Sequence, residues 1–319
     1  MKAAVITKPG ATPVFADFND PVPQAGEELI AVAASALSHV TKSRASGSHY
    51  TSPGSLPAVV GIDGVGRTRD GRRVYFVLPE EPFGGMAEKA AVGTDQCVPL
   101  PADVDDVTAA AIAIPGMSSW AALKERAHLA AGENVLVNGA TGTSGRLAVQ
   151  IAKYMGAKRV VATGRNAEAL EQLKGIGADA TIPLTQSPKE LATAFMEQFA
   201  GEGIDVVLDY LWGQSAEALI VAAAKAGKDG VPIRFVQIGA LSGGTIALPS
   251  AALRSSALVL MGSGIGSIPL DGLVGAIRGV LQAVVPGKLK IETKVVPLAD
   301  VEATWNKDSS ASRIVFAVR

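Results

Sequence analysis

The chain predicts an α/β fold in two parts: a doubly wound parallel sheet, and a second, mostly antiparallel, partly closed β domain. Three observations carry this. Beyond about residue 134, short apolar runs alternate with helical patterns. The first of those runs, Val135-Leu136-Val137, leads into Gly139-x-x-Gly142-x-x-Gly145. Before about residue 115, short apolar runs are instead punctuated by Gly and Pro, the pattern of a β domain.

Taken in order, strands are expected at residues 3–7, 28–34, 73–77 and 87–92. An alanine-rich helix from about Thr108 should stop at Pro115-Gly116, because proline removes a donor and crowds the preceding turn, and a second helix should run over residues 118–126. Strands at residues 134–138, 159–163, 180–182, 205–210, 234–238 and 258–261, with helices between them, give six strands, enough for two mononucleotide-binding halves. After a helix at residues 273–284, strands at 290–296 and 313–318 should return to the first domain. The expected division is therefore 1–117 with 287–319, and 118–286, with a ligand cleft between the two.

Composition narrows the class. The 319 residues are 48% hydrophobic and 18% charged with a net charge of −1, so no basic excess points to nucleic acid and no charge run points to a tail. A single cysteine, Cys97, excludes an intrachain disulfide and a multi-cysteine zinc lobe. Pro9-Gly10 interrupts the N-terminal apolar stretch too early for a signal peptide, and no apolar run is long enough to span a bilayer. A cytoplasmic setting is expected.

The glycine turn is the first candidate site. Glycines let the backbone approach a pyrophosphate, and the free amides of the following helix supply donors and partial positive charge. Leu147, Ile151 and Tyr154 continue at helical spacing. Thr141, Gly142, Thr143, Ser144 and Gly145 are the expected pyrophosphate contacts. The next strand ends in Thr163-Gly164-Arg165-Asn166, about 20 residues beyond the turn, where an NAD site carries a carboxylate for the ribose. Arg165 stands there instead. A guanidinium meets a 2′-phosphate with paired charge-assisted hydrogen bonds, so the expected cofactor is NADPH. Tyr210 and Leu211, Ile238, Gly239 and Ala240, and Ser263 and Gly264 lie at later strand ends, where adenine, ribose and carboxamide contacts belong; Leu211 and Ile238 equally suit the core.

Several separated segments resemble one family. Arg44-Ala45-Ser46-Gly47-Ser48-His49-Tyr50 is similar to its R-x-G-x-Y segment with one extra residue, and Pro57 to Gly66 resembles its P-x-x-x-G-x-[DE]-x-x-G turn. Gly85-Met86-Ala87-Glu88 resembles G-x-x-A-E, and Pro115 to Leu123 resembles P-x-x-T-A-x-x-A-L with serine for threonine. With the glycine turn, these resemble the zinc-independent quinone oxidoreductases of the medium-chain dehydrogenase/reductase superfamily. The resemblance implies a Rossmann sheet with a GroES-like partly closed barrel, a homodimer formed through a sheet edge, and Ser118 on the nicotinamide side. Two departures stand out. The chain is short between Gly66 and Gly71, and Ser38 and Thr41 occupy the places of the family's asparagine and aspartate.

Zinc-using relatives have a cysteine near Ser38 and a His-Glu pair near Gly61; this chain has Ser38 and Ile62-Asp63, so no metal is expected. Without a Lewis acid, reduction of an activated acceptor is the favoured chemistry: hydride adds to a quinone or an α,β-unsaturated carbonyl while a donor stabilises the developing oxyanion. Tyr50 is the first candidate donor, since a phenol with an ordinary pKa of about 10 is protonated at neutral pH. Ser38 and His49 are weaker candidates for that task, and His39 is a candidate for lining the nicotinamide pocket. A zinc-free alcohol or aldehyde reductase, and a non-catalytic NADPH-binding sensor or RNA-binding relative, are the alternatives.

Overall fold

The computed structural model describes residues 1–307 and 312–318, and these divide into two compact units, Met1–Ile114 with Val274–Arg319 and Pro115–Leu273. The division falls inside two helices, earlier at both points than the boundaries expected at 117/118 and 286/287. Residues 308–311 and 319, part of the expected 287–319 segment, lie outside the described residues.

In the first unit the strands are β1 (Lys2–Ile6), β2 (Val14–Asp17), β3 (Glu27–Ala36), β4 (Ala58–Val59), β5 (Asp63–Thr68), β6 (Arg73–Val77), β7 (Lys89–Gly93) and β8 (Cys97–Pro99), and helix α1 is His39–Ala45. The long β3 organises the unit, pairing antiparallel with β5 and β7 and with a late strand from the C-terminal segment. A register shift between Val32 and Ala34 breaks the β3/β5 ladder, the sort of irregularity that curls a sheet toward closure. Strands β2, β4, β5 and β8 have no counterpart among the expected elements. They are short or glycine-bearing, and pairing to neighbours, not their own pattern, makes them strands.

Helix α2 (Asp106–Ala121) corrects an expectation: it runs unbroken through Pro115 and passes into a π-turn at Ala122–Arg126. Burial on every side, with Ala109 to Ala113 wholly inaccessible, holds the helix together where local preference alone would end it. Ser118 and Ser119 donate to the carbonyls of Pro115 and Gly116 at 2.7 and 3.1 Å.

The second unit carries β9 (Asn134–Asn138), α3 (Thr143–Tyr154), β10 (Arg159–Gly164), α4 (Ala167–Lys174), β11 (Ala180–Pro183), α5 (Pro188–Ala200), β12 (Val206–Asp209), α6 (Gly213–Ala226), β13 (Ile233–Gln237), α7 (Ser250–Arg254) and β14 (Leu258–Gly262). All six strands are parallel, in the order β11-β10-β9-β12-β13-β14. Central strands are apolar on both faces because helices cover both: Val135 to Val137, Val160 to Ala162 and Val206 to Leu208 are all inaccessible. Chain order reverses between β9 and β12, so the crevice beyond their carboxyl ends is the topological switch point. Helix α8 (Leu270–Ala283) leads back to the first unit, where β15 (Thr293–Pro297) pairs parallel with β16 (Arg313–Ala317), and β16 lies antiparallel to β3. The architecture is a Rossmann sheet plus a GroES-like β unit, as the motifs predicted.

Candidate dinucleotide site

Strand β9 ends at Asn138, and the turn after it is shaped by backbone geometry. Gly139 has φ +88°, and a Cβ there would lie 2.8 Å from the Leu211 side chain. Gly145, in the first turn of α3, packs so closely that a Cβ would meet the Gly139 carbonyl oxygen at 2.4 Å. The helix therefore starts directly against the strand end. Gly142 is its N-cap, with no side chain capping the first amides, and a Cβ there would meet nothing within 4 Å. An uncapped helix start facing open space suits an anion, since its N–H groups and helix dipole both favour negative charge. Thr141, Thr143 and Ser144 are half-buried around it. Tyr154, which continues the helical spacing of Leu147 and Ile151, is 44% exposed and lies against Trp120, ring centroids 6.0 Å apart.

Beneath the turn lies a buried polar network that strand and turn patterns did not reveal. Asn138 Nδ2 donates to Asp209 Oδ1 at 2.8 Å and to Ser215 Oγ at 2.9 Å, and Asn138 Oδ1 accepts from Thr163 Oγ1 at 2.7 Å. Thr163 Oγ1 in turn accepts from the Gly139 amide at 3.1 Å. Asp209 also accepts from the amides of Leu211 and Trp212, which pins a turn in which Trp212 has φ +60°. Burial pushes the Asp209 carboxyl above its usual range, while the hydrogen bonds from Asn138 and the two amides oppose that shift. The signal available in the sequence was a polar residue closing each of two otherwise apolar runs, Val135-Leu136-Val137-Asn138 and Val206-Val207-Leu208-Asp209.

The sequence-predicted residues of this unit separate into groups. Thr163 is wholly buried and its hydroxyl serves the network, so the side chain braces the turn from below. Gly164 is buried against Thr141. Arg165 is exposed at the end of β10, with no ion pair among the described residues. Asn166 caps α4, accepting from the Ala169 amide at 2.9 Å. Tyr210 is buried, and its hydroxyl lies 3.2 Å from Ser118 Oγ. Leu211 is half-buried over Gly139. Ile238 and Gly239 are half-buried, Ala240 is exposed, and Ser263 and Gly264 are half-buried beyond β14.

In the β unit, Ser38 is 4% exposed and is the N-cap of α1: its Oγ accepts from the Thr41 amide at 2.9 Å and shares a 2.7 Å hydrogen bond with Thr41 Oγ1. Ser38 and Thr41, which stand in the places of the family's asparagine and aspartate, thus form one capping pair. His39 is exposed on the first turn of α1. Tyr50 is 71% exposed and stacks on His49 with ring centroids 4.2 Å apart. The Thr51 amide donates to His49 Nδ1 at 3.1 Å, which places the neutral ring's proton on Nε2, and burial together with Arg44 holds the imidazole below its usual pKa. Among the described residues no three His, Cys, Asp or Glu side chains form a group able to hold a metal ion.

Comparison with known proteins places this architecture. Residues 145–282 match the family model described as zinc-binding dehydrogenase. The chain is 30% identical to a probable NADPH-dependent quinone reductase, tdiC, of Emericella nidulans, covering 99% of both. It is 32% identical to a 2-methylene-furan-3-one reductase of Solanum lycopersicum over 69% of this chain and 59% of the relative. Among solved structures, the quinone oxidoreductase of Thermus thermophilus, also solved in complex with NADPH, superposes with a TM-score of 0.80 at 28% identity over the whole of both chains. The strand order, the glycine turn and the GroES-like unit define a medium-chain dehydrogenase/reductase. Within that superfamily, the chain belongs to the quinone oxidoreductase family.

Proposed function

We propose that the protein is an NADPH-dependent reductase that transfers hydride to quinones or α,β-unsaturated carbonyl compounds without a metal. The observation that carries the cofactor assignment is the exposed Arg165 at the end of β10, with the uncapped start of α3 on the neighbouring strand. The residues fit an anionic dinucleotide. The amides of Thr143, Ser144 and Gly145 would hold the pyrophosphate, the open face at Gly142 leaves it room, and Arg165 would take the 2′-phosphate with a bidentate contact. Ser118, half-buried, would meet the nicotinamide side. NADPH supplies the hydride when bound; the chain orients the acceptor and donates hydrogen bonds to its carbonyl oxygen.

Tyr50 is the donor this reading favours. Its ring is exposed and a phenol is protonated at neutral pH, whereas the Ser38 hydroxyl is buried in the cap of α1. One well-placed donor to a developing oxyanion lowers the barrier by roughly 3 kcal/mol. The metal-free assignment rests on the ligand inventory, since Ser38, Ile62 and Asp63 stand where zinc-using enzymes place ligands. The acceptor class follows the two curated relatives, one named for quinone reduction and one for reduction of an enone. A homodimer built through β14 is also part of the reading, because β14 is an outer strand of the parallel sheet and Val259 on it is 43% exposed. No helix among the described residues is long and apolar enough to cross a membrane, and the reading places the enzyme in the cytoplasm.

The test is an NADPH-oxidation panel with quinones, enones, aldehydes and no acceptor, each with and without a chelator. Turnover of quinones or enones that survives chelation is expected. Tight NADPH binding with no turnover of any acceptor would point to a sensor and defeat the catalytic reading, and turnover confined to aldehydes would defeat the acceptor class.

A further inference from the structure

The β unit contains a recess between helix α1, strand β4 with the following residues 60–62, and the segment 78–83 after β6. Its walls are mostly apolar, with Ile6, Val60, Ile62, Leu78 and Phe83 among them. The space is narrow. About 20 Å³ is open to water-sized groups, room for the oxygen-bearing end of a ligand whose carbon skeleton stays against the apolar rim.

Arg44 lines this recess and is its free donor. The side chain is 16% exposed, and its ion-pair partner, Glu81 Oε1, stands 3.6 Å away, too far for a hydrogen bond. The guanidinium donates to no side chain or carbonyl among the described residues, so its five N–H groups are uncommitted. Glu81 is held from its other side, where Oε2 accepts from the Gly54 amide at 2.9 Å. Thr41, the remaining polar side chain of the lining, has its hydroxyl engaged with Ser38 Oγ. Burial pulls the Arg44 guanidinium below its usual pKa, and Glu81 opposes that shift. Uncommitted N–H groups call for an oxygen acceptor. A carboxylate would bring a second negative charge beside Glu81, whose charge Arg44 already offsets, whereas a neutral carbonyl adds none.

We infer that this recess binds the oxygen of a neutral carbonyl compound, with Arg44 as the donor and Glu81 as the charge that turns carboxylates away. Quinones and enones belong to that class, yet the site is defined by the β unit alone and stands without the reductase reading.

NMR of protein with labelled isoleucine methyl groups tests this in the absence of cofactor, because Ile6 and Ile62 both line the recess. The probes are acetophenone and benzoate, which share a ring and a shape and differ by a methyl group in place of a charged oxygen. In the wild-type protein acetophenone should shift both methyl signals, and benzoate should need about tenfold more ligand for the same shift. Arg44→Met, similar in length and without donors, should weaken acetophenone binding by about tenfold. Glu81→Gln, which keeps an acceptor for the Gly54 amide, should strengthen benzoate by about tenfold and leave acetophenone within about twofold of wild type. Should Arg44→Met fail to fold, Glu81→Gln decides alone, and equal changes for the two probes, or none, overturn the inference. Acetophenone that moves neither isoleucine overturns it, as does benzoate bound as tightly as acetophenone by the wild-type protein, or undiminished acetophenone binding in a folded Arg44→Met. Each of these results leaves the reductase reading to be judged by its own turnover assay.

Discussion

Asn138 Nδ2 donates a 2.8 Å hydrogen bond to Asp209 Oδ1, joining two residues that are register partners at the carboxyl ends of β9 and β12, where the order of the parallel sheet reverses. Both side chains are wholly inaccessible, and together they brace the turn that precedes the glycine motif and the turn that holds Trp212 at φ +60°. Replacing Asn138 with Ala leaves the Thr163 hydroxyl and the Asp209 carboxylate without their partner, a buried loss of about 2–4 kcal/mol. Urea denaturation should show this as a lower midpoint with an unchanged slope. A variant within about 0.5 kcal/mol of wild type would show that the network is not a structural brace.

Two glycines of the motif, Gly145 and Gly142, should behave differently. Gly145→Ala places a Cβ 2.4 Å from the Gly139 carbonyl oxygen and forces α3 away from the strand, so it should lower the melting temperature markedly. At Gly142 a Cβ meets nothing within 4 Å, so Gly142→Ala should fold normally and lose dinucleotide affinity. Thermal melts and equilibrium binding of NADPH on the two variants check this pair, and a Gly142→Ala protein that binds as wild type would remove that face from the phosphate site.

Arg165 should act on one phosphate. Arg165→Ala is expected to weaken NADPH by about tenfold or more and NADH by less than about twofold, because only NADPH carries the group a guanidinium would pair. Competition binding with the two cofactors measures the ratio. Equal losses would assign Arg165 a general rather than a discriminating role.

Asp63 sets a pH dependence in the β unit. It is wholly buried, Tyr75 Oη donates to its Oδ2 at 2.8 Å, and its Oδ1 has no partner among the described residues. Burial pushes its carboxyl up to about 7, against the opposing influence of Tyr75 and Arg313. An unfolded aspartate titrates near 3.9, so between about pH 4 and 7 the folded chain holds a proton the unfolded chain has released. The stability this contributes is complete below about pH 4 and is lost as pH rises through 7. Asp63→Asn removes the titration. Its unfolding free energy relative to wild type should therefore climb by a few kcal/mol, about 4 at most, between pH 4 and 7 and then level off. A difference that does not change with pH would show that Asp63 does not titrate in that interval.

The outer strand β14 gives a fifth expectation. Val259→Lys puts a charge on an exposed position of the strand proposed to join two subunits, and should shift the protein toward monomer in sedimentation without lowering its melting temperature by more than a few degrees. An unchanged oligomeric state would place the subunit contact elsewhere.

Local pattern was enough for the strands around the glycine turn, the alternation of strand and helix, and Arg165 at the end of β10. Each of these is written by residues close together in the chain: apolar runs of strand length, glycines at a turn, a cation one residue past a strand. What only the tertiary structure decided lies between residues far apart. Asn138 and Asp209 are separated by 71 positions and Ser118 and Tyr210 by 92, and no spacing rule relates them. Helix α2 shows the same division of labour. Pro115-Gly116 reads locally as an end, and burial of the helix on every side carries it through. By itself the sequence determined where a glycine turn leaves the first amides of α3 uncapped. Folding decided which polar side chains brace that backbone, because only the packed chain brings donors and acceptors from different strands into one buried site.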